Sequence, residues 1–399
     1  MSVERRVIIV GAGPVGLTAA LLLGSRDIAV TVLEAEAAIS HELRASTFHP
    51  PTLDMLAPFG ITARMLDAGL VCPHWQIRMH PSGDRAVFDL SVLAGETDHP
   101  YRLQCEQSKY CQFVLAALAP LPQVKVCFST AVTGVTQTAD AVAVQASSPA
   151  GEQTFTADYV IGADGARSAV RGALGIAMSG DIYPETTILA TTLFPFHERL
   201  EGLSNVSYCW KPDGTFSLLR LPEAWRVSLY AREGQSVEEA LTEEGLQDLL
   251  RAIIPDGERI AVLETRPYRI HRRLAAAYRQ ARVFLAGDAA HLNSPSGGMG
   301  MNGGIHDAFN LTDKLIAVLQ AGADERSLDR YERQRRPIAE EEIINQAHRN
   351  RTRMQERDPA RRREMLTALQ RVTADSVALK SYLLKSSMIE GLRRAAATE

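Results

Sequence analysis

Three glycines in the string Gly11-Ala12-Gly13-Pro14-Val15-Gly16 directly follow the apolar run Val7-Ile8-Ile9-Val10, and that junction constrains the fold more than any other feature. The run shows no polar alternation, as expected of a parallel strand buried on both faces. After the glycines, Leu17, Ala20, Leu21 and Gly24 fall on one helical face, and Ala29 to Leu33 reads as a second buried strand. Strand, turn, helix and strand in that order make a βαβ unit and commit the chain to an α/β sheet. In such a turn the first glycine permits the tight bend, the second lets a pyrophosphate reach the backbone, and the third lets the helix pack on the strand. Pro14 falls in the first helical turn, where its missing N–H costs nothing. Glu34 ends the second strand, 18 residues after Gly16, where it can accept hydrogen bonds from a ribose 2′-hydroxyl. The signature predicts a dinucleotide with its pyrophosphate at a helix N-terminus and leaves NAD and FAD both open.

A chain of 399 residues exceeds what one core organises, which predicts two domains sharing one ligand. From Val124 to Gln145, β-branched residues at short spacing (Val132, Val135, Val142, Val144) predict a hairpin or meander, and Tyr159-Val160-Ile161 returns to buried-strand character. Residues 183 to 265 are strand-rich and interrupted by Pro and Gly, with Ser207 to Trp210, Thr215 to Arg220 and Trp225 to Ala231 as antiparallel strands. Val283 to Ala286 is of the parallel type again, so the first domain is discontinuous and the second is inserted within it. We expect 1–75, 100–180 and 266–330 to build the dinucleotide domain and 76–99 with 181–265 to build the inserted sheet. Residues 331–399 should form helices, broken at Pro337 and Pro359.

Composition removes several classes of function. A formal charge of −4 gives no electrostatic footprint for nucleic acid, and no stretch approaches a membrane-spanning apolar length. Five scattered cysteines form no CxxC pair and no metal-ligand spacing, which suits a reducing compartment and predicts a cytoplasmic protein without a metal. The Arg-rich tail has interleaved Glu and Asp, so it reads as a solvated helix face or a subunit contact, a homodimer being one arrangement this allows.

A second glycine cluster decides the cofactor. The strand Val283-Phe284-Leu285-Ala286 ends at Gly287-Asp288, and a loop holding Gly297, Gly298, Gly300, Gly303 and Gly304 leads into a helix with Ile305, Phe309, Leu315, Ile316 and Leu319 on one face. A carboxylate at that strand tip would repel a phosphate but accepts hydrogen bonds from a polyol such as ribityl. The glycine-rich helix start can present N–H groups to the anionic edge of a reduced flavin. Both clusters together predict FAD.

Leu285-Ala286-Gly287-Asp288-Ala289-Ala290-His291, continuing through Pro295 and Gly298-Met299-Gly300-Met301-Asn302 to Asp307-Ala308-Phe309-Asn310-Leu311, resembles the ribityl-binding motif of the flavoprotein aromatic hydroxylases, the para-hydroxybenzoate hydroxylase-like family. Ile161-Gly162-Ala163-Asp164-Gly165-Ala166-Arg167-Ser168 is similar to that family's DG motif, implicated in FAD and transient NAD(P)H contacts. Arg44-Ala45 with Pro50 and Thr52-Leu53-Asp54-Met55-Leu56 resembles its arginine segment beside the FAD, and Leu103-Gln104 its glutamine near the isoalloxazine. The resemblance implies an α/β fold: a Rossmann-like FAD-binding domain, an inserted antiparallel-sheet substrate domain and a helical C-terminal segment. It depends on motifs in family order over residues 7 to 320, with two departures, Met299 for a polar residue and Pro51 for an arginine. No second strand-linked GxGxxG is visible, which favours NADH or NADPH docking briefly rather than a resident nicotinamide domain.

The implied activity is hydroxylation of an electron-rich aromatic or N-heteroaromatic small molecule by O2 activated at the flavin C4a position. On this reading the substrate contacts come from the inserted sheet and the arginine segment, with Tyr208, Trp210, Arg220 and His49 as candidates. Each has a bland counterpart: the aromatic pair can be core, and Arg220 an exposed strand residue. His291 is assigned to loop positioning. An epoxidase, halogenase or reductase of the same superfamily stays open, although no WxWxIP-type segment is present, as does a non-enzymatic flavin-binding regulator.

Overall fold

The computed structural model describes residues 6–42, 44–254 and 259–399; residues 1–5, 43 and 255–258 of the segments assigned above lie outside it. The N-terminal apolar run forms the strand Arg6–Val10 inside a six-stranded sheet, with Ala29–Leu33 and Tyr159–Gly162 as parallel neighbours. Val124–Cys127 and Val283–Leu285 continue the parallel order outward, and Arg279–Gln280 closes one edge as an antiparallel strand. Ile9 sits between Val32 and Ile161 in register, all three fully buried, which is why these segments carry no polar alternation. Helices Pro14–Gly24 and Met299–Ala321 pack against each other at this sheet.

Val124 departs from the expected meander. Val124–Cys127 belongs to the parallel sheet, and the meander is Ala131–Gln137, Val142–Ser148 and Gly151–Ala157, a separate three-stranded antiparallel sheet. Short β-branched strands look alike in sequence whether they join an edge or a hairpin.

The second large sheet has eight strands, including the long pair Met178–Thr192 and Val262–Ala275, the strands Trp225–Tyr230, Gly214–Arg220 and Val206–Lys211, and then His74–Met79 and Arg85–Asp89. It is antiparallel except where Val206–Lys211 meets His74–Met79 in parallel. Alternation divides its faces. Cys209, Phe216, Leu218, Trp225 and Val227 pack with helix Glu243–Arg251 on one side. Trp75, Ile77, Val206 and Trp210 pack on the other side with Leu366, Leu369, Leu379 and Leu383 of the tail helices Pro359–Ala374 and Ser376–Ser386.

Pro337 does not break the tail. It lies inside helix Asp329–Ile338, and the path continues through a π-helical stretch, Ala339–Ile344, into helix Asn345–Gln355. Pro337 forgoes one i→i−4 hydrogen bond, and the π-helical stretch begins two residues after it. Pro359 opens a helix at its first position, where its ring is tolerated. Among the described residues no helix is long and apolar enough to cross a membrane.

Candidate active site

The first glycine turn is shaped for a ligand. Gly11 has φ +102°, and a side chain there would lie 2.4 Å from the Ala163 carbonyl oxygen. A methyl group on Gly16 would lie 1.9 Å from the Gly11 carbonyl oxygen, so helix and turn touch backbone to backbone. Gly13, between them, faces open space with nothing within 4 Å of a built Cβ. It is also the N-cap of helix Pro14–Gly24 and no side chain caps that end, leaving first-turn N–H groups for an anion. Glu34 accepts from Ala12 N at 2.6 Å and Glu36 N at 2.9 Å, which fixes its carboxylate beside the turn with lone pairs remaining for a ribose.

Opposite this turn, Gly287 and Asp288 leave the strand Val283–Leu285. Gly287 packs on Val15 and Gly304, so the two glycine clusters meet. The Asp288 side chain is open to solvent, yet burial among surrounding protein pushes its carboxyl above the ordinary range, against the opposing pull of His291, Arg44 and His271. The carboxylate is thus within reach of a ligand at the strand tip. Behind it Asp307 is wholly buried, accepting from Gly287 N (3.1 Å) and His291 Nε2 (2.8 Å) on one oxygen and from Arg335 Nε (2.7 Å) on the other. Burial raises the Asp307 carboxyl, but Arg335 and His291 outweigh it and hold it at about 2. This network fixes the strand tip that carries Asp288, with His291 in the positioning place expected of it.

The downstream loop is pinned the same way. The Pro295 carbonyl accepts from Gly298 N at 2.9 Å, and Gly298 caps helix Met299–Ala321 at φ +69°, pressed against Thr47. Gly300 abuts Asn293, and Met301 is half-buried on the main core. Asn302 directs all four side-chain hydrogen bonds to protein: its oxygen accepts from His49 N and Thr52 Oγ1, and its nitrogen donates to the Thr47 and Gly298 carbonyls. Its side chain therefore braces the loop and has no hydrogen-bonding capacity left for a cofactor. Gln104 is likewise buried and bonded to Ser46 and Thr47. Asp164 accepts from Ser168 Oγ and Val170 N at the start of a short helix, and burial raises its carboxyl. The Arg44 guanidinium pairs with Glu42 at 3.0 Å, and its carbonyl is held by buried Arg226 at 2.6 Å.

A second cavity lies between the eight-stranded sheet and the tail, walled by Trp75, Arg102, Tyr208, Gly297, Arg353 and Tyr382 among others. Arg102 is 2% exposed, lies 4.8 Å over the Trp75 ring and is hydrogen-bonded by Tyr208. Its Nε and Nη1 have no partner, and among the described residues no carboxylate pairs with it. Burial pulls its pKa down, opposed by Tyr208 and Tyr382. A sequence-based reading misses Arg102, although it stands two residues before Gln104 on the same strand face.

Of the expected substrate contacts, Tyr208 reaches this cavity. Trp210 is wholly buried and donates to the Arg353 carbonyl at 3.1 Å, so it supports the tail. Arg220 is turned away: Tyr208 pairs with Ser217, and three residues along, an odd step, Arg220 projects from the other face, 5.9 Å over Trp225. His49 is wholly buried, Nε2 donating to the Gly297 carbonyl at 2.8 Å while Nδ1 has no partner. Burial first, then Arg102, holds it well below the usual histidine range, so it is neutral and supports the loop from beneath.

A turn open to a pyrophosphate, packed against a strand tip whose carboxylate suits a polyol, with a cavity under the sheet nearby, fits a flavoprotein oxygenase. The chain belongs to the FAD binding domain family, whose model matches residues 4–346. It is 34% identical over 393 residues, 97% of this chain and 96% of the relative, to para-nitrophenol 4-monooxygenase of a Pseudomonas species. Over 337 residues, 84% of this chain and 85% of the relative, it is 33% identical to 6-hydroxy-3-succinoylpyridine 3-monooxygenase of Pseudomonas putida. The crystal structure of p-nitrophenol 4-monooxygenase from Pseudomonas putida superposes with a TM-score of 0.91 at 33% identity, covering 98% of this chain and 99% of that one. With FAD as cofactor and NAD(P)H as reductant, the enzyme is an aromatic monooxygenase acting on a small aromatic molecule with O2.

Proposed function

We propose that the enzyme hydroxylates a single-ring phenol or hydroxypyridine, bound as its oxyanion in the cavity between sheet and tail. The observation that carries this is Arg102, a buried cation with two unpartnered N–H groups and, among the described residues, no carboxylate paired with it. An uncompensated buried charge is costly, and an incoming phenolate relieves that cost. When bound, FAD supplies reduction by NAD(P)H and activation of O2. The protein's part is to hold the ring oxygen at Arg102, which keeps the ring electron-rich, and Tyr208 orients that guanidinium by hydrogen bonding. Trp75, Met354 and Tyr382 wall the ring from water. The two relatives named above act, by their names, on a nitrophenol and a hydroxypyridine, which supports this substrate class. Five free cysteines support a reducing, cytoplasmic setting.

The test is purified, FAD-loaded enzyme with NADH or NADPH and a panel of phenols and hydroxypyridines, following O2 uptake and product mass together. Stimulated oxidation with a product one oxygen heavier is expected. Arg102→Met should retain FAD and raise KM for the phenol about ten- to a hundredfold, the loss of one charge-assisted hydrogen bond. A KM unchanged in that variant refutes the role given to Arg102.

A further inference from the structure

The cavity has a second cationic wall. Arg353, on helix Asn345–Gln355, donates from Nη1 to Tyr382 Oη at 3.1 Å, and among the described residues it forms no ion pair. Asn350, one turn earlier, accepts from Gln346 Nε2 at 3.0 Å, which orients its amide nitrogen toward the loop, where Nδ2 meets the Ser296 carbonyl at 3.4 Å. Trp75 Nε1 and Ser386 Oγ, from two further wall residues, are buried without partners. Among the described residues the cavity lining includes no Asp or Glu. It is therefore rich in donors and poor in acceptors well beyond what one phenolate oxygen satisfies. Arg102 is hydrogen-bonded by Tyr208 and Arg353 donates to Tyr382, and both tyrosines pack near the Trp75 ring, at 5.9 Å and 6.4 Å. Two like charges facing one cavity suit a ligand with an acceptor group at each end.

We propose that Arg353 and Asn350 form a specificity site for a second substituent of the ring, a planar group with two oxygens, nitro or carboxylate. This rests on the phenol-hydroxylase reading above. A guanidinium presents paired N–H groups that match two oxygens on one planar atom, and a group with a single terminal acceptor leaves one of those donors unmet. Selection therefore comes from the tail, while the sheet side supplies the phenolate anchor.

The experiment titrates 4-nitrophenol, 4-hydroxybenzoate and 4-cyanophenol into the oxidised holoenzyme, reading dissociation constants from the flavin spectrum, for the native protein, Arg353→Met and Arg353→Lys. The cyano group withdraws electrons but has one terminal acceptor, so it separates geometry from phenol acidity. The native enzyme should bind the nitro or carboxylate ligand about tenfold or more tightly than the cyano ligand, and the tighter of those two arms assigns the substituent. Arg353→Met should remove most of that preference and affect the cyano ligand much less. Arg353→Lys keeps the charge but not the fork, and should recover part of the preference. Equal weakening of all three ligands, or an undiminished preference in Arg353→Met, overturns this assignment and leaves the phenol reading standing. If none of the three binds to the native enzyme, this assignment falls, and the phenol or hydroxypyridine reading is decided by the wider panel above.

Discussion

Single buried side chains set how this protein responds to acid. His306 Nε2 lies 2.9 Å from Thr52 Oγ1, whose one proton goes to Asn302, so His306 is the donor and its tautomer follows. Burial, with Arg335 adding to it, depresses His306 to about 3, and His49 also lies well below its usual value. Both histidines are neutral in the folded protein but protonate near 6.5 when unfolded. The unfolded state thus binds more protons as pH falls below 6.5, and stability falls with it until the folded histidines titrate. The slope is about 1.4 kcal/mol per pH unit for each histidine. Denaturant midpoints measured from pH 7 to 5 should fall, and His306→Gln should show a visibly shallower decline. An equal slope in the two proteins would rule out this source.

At the level of elements, the glycine turn separates binding from folding. Gly13→Ala adds a methyl group to open space, so the fold should hold while FAD affinity drops as the backbone is kept from the pyrophosphate. Gly16→Ala drives a methyl into the Gly11 carbonyl, so thermal stability should drop by several degrees even in apoprotein. Calorimetry of both apoproteins with FAD titration of each checks the pair; equal stability losses would contradict it. This turn was legible because strand, helix and three fixed spacings occur in one continuous stretch. The substrate cavity was not. Arg102 lies on a strand of three residues, too short to show a period, and a buried arginine is written with the same letter as an exposed one. Arg220 was recognisable as a strand residue, but which face it takes depends on pairing with Trp225 and Tyr208's neighbour Ser217, and pairing register is not local information.

Across the whole molecule, the tail is docked onto the sheet by a residue that the sequence shows only as one of many arginines. Arg362 is 2% exposed and donates to the Glu356, Lys211 and Gly214 carbonyls, tying helix Pro359–Ala374 to the hairpin after Val206–Lys211. Arg362→Met should raise substrate KM and speed protease cleavage near 356 while FAD content stays near one per chain; lost FAD with unchanged KM would contradict this arrangement. The family model that the chain matches ends at residue 346, just before Asn350 and Arg353. The cavity wall is thus drawn from two stretches of the chain: Trp75, Arg102 and Tyr208 lie inside the family model, and Asn350, Arg353 and Tyr382 lie beyond it. If the tail selects the ring as proposed, substitutions in helix Asn345–Gln355 change which aromatic compound is accepted while leaving both glycine turns, and with them FAD binding, as they are.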